Sequence, residues 1–413
     1  MSDDENKWYI CEVGSGRFRH GIFNEENVAA ANPKNCVGIP NYSYVANQCS
    51  DTNSHQPKYS KEKYNAMLFG DALDSSGESS QAGMCHIKWP VERGVIKDRD
   101  VMNDILNYEL VVQAKLQLST DEDEGLEADI DGVIHLESIM GSTKGRMDTA
   151  AHYFDTVGIP KLFFGLSSVC ALYGAGRTTG CAVMSGHGVT EVAPVFDGYA
   201  IKNAFRRYNW GGVDVTGWLG RELHKADVSL ETSADDLILW DIKEMLSVAP
   251  MGKLDELIIE KRDQTTDFSM PDNTVLQLRE QVVDVAEIIF DPKRAGHDIP
   301  GLAQMTWNAI QRSPTDSKKG LMDAIMLFGG NTMFGGLKDR MNQEMNAFST
   351  AKGGGECKVV AAPERTTQGY AGACMLASYS EFTDPEDPNN AMWISKAEYM
   401  ESGGQRMICM SQI

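Results

Sequence analysis

The sequence predicts an α/β fold built as two related halves that close on an anion. Strand-like runs alternate with helical ones along most of the chain, as mixed sheets with helical crossovers require. Two glycine turns, Gly14-Ser15-Gly16 and Gly186-His187-Gly188, each follow a strand-like run (Trp8 to Val13; Gly180 to Met184) and lead into another extended run. A G-x-G turn between strands bares successive backbone N–H groups with no Cβ in the way, a concavity suited to a polyphosphate. One such turn is only a tight hairpin. Two similar turns, each opening one half, predict a duplicated fold that grips phosphate between its halves.

Composition narrows the function. A chain of 413 residues buries a core of two to four domains, and 42% hydrophobic with 23% charged residues is ordinary for a soluble globular protein. The net charge of −21 argues against non-specific binding to nucleic acid or anionic lipid and favours basic partners. The start SDDENK lacks a basic-then-apolar stretch, so no secretory leader is expected. No run of about 18 apolar residues predicts a membrane span. The nine cysteines form no C-x-x-C and are read as reduced thiols of a cytosolic or nuclear protein.

In order, residues 7–40 read as a strand meander, and the polar stretch 41–66 as a long exposed loop. Asp100 is the expected N-cap of VMNDILNYELVVQA. STDEDEGLEADID (119–131) reads as an acidic surface loop, since it lacks EF-hand spacing. GVIHLES is a buried strand, TKGRMDTAAHYFDTV a helix broken at Pro160, and GIPKLFF a strand. Ser167 or Ser168 is expected to cap VCALYGAG. After the second turn, residues 197–249 read as mostly helical and 250–270 as a loop with a charged linker. MPDNTVLQL is a hairpin turning at Asp272-Asn273, and residues 287–302 are irregular. AQMTWNAIQRS is a short helix, and DAIMLFGG is an apolar strand. GLKDRMNQEMNAF is a helix whose Leu337, Met341, Met345 and Phe348 face the core. ECKVVAAP is a strand, GYAGACMLASYSEF a close-packed small-residue helix and AMWISKAEYMESG a last helix.

GSG with a basic residue three positions on, YGAGRTTG (173–180), SGHGVTEVAPVFDGYAI (185–201), DIKE (241–244), FGGNTMFGGL (328–337), APER (362–365) and MWISKAEYMESG (392–403) occur in the order found in actin. Over nearly its whole length the chain therefore resembles the actin and actin-related protein family. That resemblance implies the actin-like two-lobed fold shared with Hsp70 chaperones and sugar kinases, in which duplicated mixed-sheet domains flank a nucleotide cleft. The first lobe would be 1–172 plus 367–413, with 41–66 as its variable loop, and the second 173–366. It implies ATP in the cleft, ADP after turnover, and Mg²⁺ held among carboxylates through water. It also implies self-association into filaments or docking with other protein subunits, contact with actin-binding proteins, and a cytoplasmic cytoskeletal place, or a nuclear one for a scaffold subunit.

The resemblance assigns phosphate contacts to Gly14, Ser15 and Gly16, with Arg19 replacing a lysine, and to Gly186, His187, Gly188 and Val189. It assigns the sugar side to Gly212 and Asp214, the adenosine side to Lys243 and Glu244, and the base border to Gly330, Asn331, Met333 and Phe334, Phe334 replacing a tyrosine. Elsewhere the chain departs from the family. Glu12 replaces the aspartate before the first turn, a metal-side carboxylate one methylene longer. Met184 replaces the aspartate before the second turn, and His187 the acidic residue within it. Ser167 stands for the glutamine that holds the attacking water, and Glu191 for the histidine across from it. Thr366 replaces the lysine flanking the adenine, and Trp240 the arginine of the adenine wall. These losses predict weakened Mg²⁺ binding and at most a weak ATPase, with Glu191 as the one residue able to act as a base in another way. The non-matching loop 41–66 and the polar KRAGHD segment, where actin has a partly hydrophobic plug, favour a scaffold subunit; the intact turns favour a filament.

Overall fold

The computed structural model describes residues 7–23, 37–40, 43–45, 67–69, 86–107, 118–121, 125–232, 235–251, 254–261, 264–270, 272–379, 382 and 392–402. Two sheets of six strands dominate it. In the first the order is Ile394–Ser395, Lys161–Leu166, Gly132–Glu137, Trp8–Val13, Arg17–Phe23, Val37–Pro40. Trp8–Val13 and Arg17–Phe23 are antiparallel and joined by the first glycine turn, with Val13 opposite Phe18. Trp8–Val13 then runs parallel to Gly132–Glu137, which runs parallel to Lys161–Leu166.

The second sheet repeats that plan. Gly180–Ser185 and Thr190–Phe196 are antiparallel across the second turn, with Ser185 opposite Thr190. Gly180–Ser185 is parallel to Ile325–Phe328, and that strand to Val359–Val360. Tyr199–Ala200 and Arg206–Tyr208 pair with Thr190–Phe196. A glycine hairpin followed by parallel neighbours thus occurs twice, as the two turns predict.

Strand alternation distributes the core. In the first sheet Tyr9, Cys11, Val133 and Leu162 face one layer, with Met102, Ile105 and Tyr153. Trp8, Ile10, Ile134 and Phe163 face the other, with Cys374 and Trp393. In the second sheet Cys181, Val183, Ile325 and Leu327 pack against Leu219, Ile289, Ile310 and the stripe Leu337, Met341, Met345. Ala182, Ala193, Met326 and Phe328 face Val169, Ala171 and Leu172 of the helix Ser167–Gly174. That helix carries the chain from the first sheet to the second, and Gln368–Ala377 carries it back. The two touch backbone to backbone. A Cβ at Gly372 would lie 1.7 Å from the Cys170 carbonyl oxygen, and one at Gly174 2.5 Å from that of Gln368.

Several local expectations are corrected. The acidic stretch holds an antiparallel pair, Leu118–Asp121 with Gly125–Ala128. Residues 199–208 are short strands and one 3-10 turn instead of a helix, and Leu254–Lys261 is helical within the expected linker. Asp98, not Asp100, caps the helix Arg99–Asn107, its carboxylate accepting from the Val101 N–H at 3.1 Å. The helix Ser167–Gly174 has Leu166 at its cap position, so neither serine caps it by side chain. The strand expected at ECKVVAAP is only Val359–Val360. Of the expected loop 41–66, Ser43–Val45 is a strand paired with Met67–Phe69 and His86–Lys88, and the rest lies outside the described residues. The expected hairpin at 266–278 is present, with Asn273 at φ 64° in its turn.

Candidate functional site

The two glycine turns meet tip to tip. Each is closed by one backbone bond, Gly14 N–H to the Arg17 carbonyl at 3.0 Å and Gly186 N–H to that of Val189 at 2.9 Å. Among the described residues, the N–H groups of Ser15, Gly16, His187, Gly188 and Val189 then find no backbone acceptor. A Cβ at Gly188 would sit 2.4 Å from the Ser15 Oγ, and one at Gly16 would sit 2.5 Å from the His187 Cβ. Glycine at these positions is what lets the turns approach. The Ser15 Oγ accepts from the Gly94 N–H at 2.8 Å, which leaves its own hydrogen to donate. The helix Gly212–Lys225 docks its first turn on the second hairpin: the Gly212 and Val213 N–H groups donate to the Gly186 and His187 carbonyls at 2.9 and 2.8 Å.

Between the lobes lies a cavity of about 530 Å³. Both turns line it, with Glu12, Arg19, Ser167 and Met184 at the hairpin side. Gly212, Trp240, Lys243 and Glu244 form one wall, and Gly330, Asn331, Met333 and Phe334 another. Two expected residues lie elsewhere. Asp214 does not line the cavity; its carboxylate is held by both terminal nitrogens of Arg93, Nη2 to Oδ1 at 2.8 Å, and by the Gly211 N–H at 2.8 Å. Glu191 is buried behind the cavity wall, its Oε2 accepting from the Ile139 N–H at 3.0 Å. Two cations that sequence reasoning did not single out do line it, Arg17 and Arg365. Arg17 was legible, because it stands two residues from Arg19 and shares its strand face. Arg365 lay inside the APER motif; its guanidinium donates to the Thr332 and Ala362 carbonyls.

Burial sets the electrostatics. It pushes the Glu191 carboxyl up from 4.5 to about 7, against the nearby Arg207 charge and the Ile139 hydrogen bond. It pulls the Lys243 amine down to about 8; that group donates to the Thr216 Oγ1 at 3.0 Å and lies 4.7 Å above the Trp240 ring. Burial, then the charges of Lys243, Arg93 and Arg17, hold the His187 imidazole well below its ordinary value, so it is neutral. His187 belongs to a cluster of near-parallel rings with Trp240, centroids 4.4 Å apart, and Trp89, 5.2 Å, the two indoles lying 5.6 Å from each other. The Trp240 Nε1, His187 Nδ1 and Asn331 Oδ1 atoms are buried and have no protein partner.

This chemistry suits a nucleotide. Amides with no backbone acceptor, cationic side chains, and orphaned donor and acceptor atoms beside aromatic and thioether surface line one cavity. A Cβ at Gly330 would meet nothing within 4 Å, so that wall leaves room for a ligand. A divalent cation is not suited. The Glu12 Oε2 is taken by the Arg19 Nη1 at 3.2 Å, Met184 offers only a thioether, and among the described residues no three His, Cys, Asp or Glu side chains cluster to hold a metal. The family model described as Actin matches residues 3–411. The chain belongs to the actin family. That family generally binds nucleotide and Mg²⁺. Among its described residues, no helix is long and apolar enough to cross a membrane. The described cysteines Cys11, Cys170, Cys181, Cys357 and Cys374 are free and buried.

Proposed function

We propose that this actin-family protein binds ATP in the cleft between lobes 1–172 plus 367–413 and 173–366, hydrolyses it slowly or not at all, and self-associates into filaments of a cytoplasmic cytoskeleton. The five turn amides without a backbone acceptor, on two turns that line one cavity, carry this reading. They donate to phosphate oxygens, with the Ser15 hydroxyl as a further donor and Arg19 as the adjacent cation. Trp240, Met333 and Phe334 hold the flat face of the base, and Lys243 and Glu244 stand on the adenosine side.

Slow turnover follows from two positions. Ser167 reaches the cavity with a hydroxyl too short to hold water where a longer amide would, and Glu191 is fully buried behind the wall. A thermal shift on adding ATP tests binding, and phosphate release by wild type and Glu191→Ala tests turnover. Clear turnover lost in the variant would sink the slow-hydrolysis reading. Sedimentation with ATP across protein concentrations tests self-association: a critical concentration supports filaments.

A non-hydrolysing scaffold subunit, cytoplasmic or nuclear and docked to other proteins, is the second reading. It is favoured by the segment Pro292–Ala295, where Lys293 is exposed and pairs with the exposed Asp298 at 3.4 Å. A polar surface there offers less apolar area to bury against a second copy. A species that stays monomeric at every concentration supports this reading.

A further inference from the structure

We propose that the cleft takes its nucleotide without a divalent cation, the phosphate charge being met by the protein's own side chains. This rests on nucleotide binding at the cleft as proposed above. Its warrant is the mismatch between the cavity lining and any hard-metal site. The lining carries four cationic side chains, Arg17, Arg19, Lys243 and Arg365, against two carboxylates, Glu12 and Glu244. Both carboxylates already face an arginine, Glu12 with Arg19 at 3.2 Å and Glu244 with Arg17 at 3.6 Å. A cation brought to Glu12 would have to displace a guanidinium from a pair that is nearly buried on both sides, 8% and 13% exposed. Two residues before Gly186 of the second turn, Met184 lines the cavity with a thioether that has no affinity for a hydrated magnesium ion.

Within the second turn the side chain is an imidazole stacked against two indoles, Trp89 and Trp240. Its position is fixed by stacking, and its buried Nδ1 has no protein partner. The phosphates therefore meet amide N–H groups, the Ser15 hydroxyl and the guanidinium groups of Arg17 and Arg19. Arginine suits this role because its planar fork binds two phosphate oxygens at once and stays charged at any working pH.

The experiment is a calorimetric titration of the full chain with ATP, once in excess magnesium and once in excess chelator. The expected result is a Kd that differs by less than about threefold between the two. Arg19→Met removes the main cation and frees Glu12. It is expected to weaken ATP by about tenfold in chelator, and by less with magnesium present. A wild-type Kd that rises tenfold or more (about 1.4 kcal/mol) on chelation overturns the inference while leaving nucleotide binding intact. Absence of binding heat in both buffers overturns the nucleotide reading itself. The wild-type comparison stands alone if Arg19→Met fails to fold.

Discussion

Glu191 is a carboxylate with no exposed surface, set in a strand whose other residues are nearly all apolar. Its folded pKa of about 7 lies above the ordinary 4.5, with burial as the main cause. The native state therefore binds this proton more tightly than the unfolded chain does. The stabilising contribution is complete below about pH 4.5 and is lost as pH rises through about 7, a difference of about 3 kcal/mol. Glu191→Gln keeps an oxygen for the Ile139 N–H and cannot ionise. Denaturant unfolding is expected to show the variant gaining about 3 kcal/mol on wild type between about pH 5 and about pH 8. An identical difference at both pH values would mean that the carboxylate is well solvated. Trp240 gives a second test. If its ring holds the base, Trp240→Ala weakens ATP by about tenfold to a hundredfold, the usual worth of a base–aromatic stack. An unchanged Kd would remove Trp240 from the base wall. The Trp240 position was read from the sequence by resemblance, but the Glu191 environment was not legible there. Glu191 reads as one polar residue in a strand, and only tertiary structure brings Ile139, 52 residues away, over it.

At the scale of elements, the duplicated hairpins were legible because their signal is local: apolar strand, glycine turn, strand. The helix stripe Leu337, Met341, Met345 was legible by its period, and all three are fully buried. The pair Leu118–Asp121 and Gly125–Ala128 was missed because acidic composition signals a solvated loop, while cross-strand pairing depends on partners that composition does not report. The contact of Ser167–Gly174 with Gln368–Ala377 was half legible. GYAGACMLA announces close packing but not its partner. A side chain at Gly372 has nowhere to go, since its neighbour is a backbone oxygen at 1.7 Å. Gly372→Ala must part the helices and is expected to cost about 1–3 kcal/mol. A melting temperature equal to wild type would show that these helices are loosely held.

At the scale of the whole molecule, among the described residues the chain crosses between sheets only at those two helices, so the far side of the cleft needs its own fastening. Among the described residues, Arg93, Asp214 and Arg207 contribute to it, beside the Glu191–Ile139 bond and the Arg17–Glu244 pair. Arg93, on the segment after the first sheet's outer strands, grips Asp214 at the head of the helix Gly212–Lys225 with both nitrogens. Arg207, paired into the second sheet, donates to the Ile139 and Arg93 carbonyls at 2.7 Å each. Both contacts bridge segments more than 60 residues apart in sequence, 121 for Arg93 with Asp214 and 68 for Arg207 with Ile139. They lie beside the turn tips, so opening the cleft must break them. This makes Asp214 a latch residue, with its carboxylate turned away from the cavity. Asp214→Asn keeps the shape and the Gly211 contact while removing the charge that Arg93 needs. Two results are expected of it: a larger radius of gyration in solution scattering without nucleotide, and ATP dissociation faster by about tenfold, with a much smaller change in association rate. A sugar-contacting Asp214 would instead weaken ATP and leave the free protein's dimensions untouched. Scattering from the nucleotide-free variant therefore separates the two roles, and a radius equal to wild type would discard the latch.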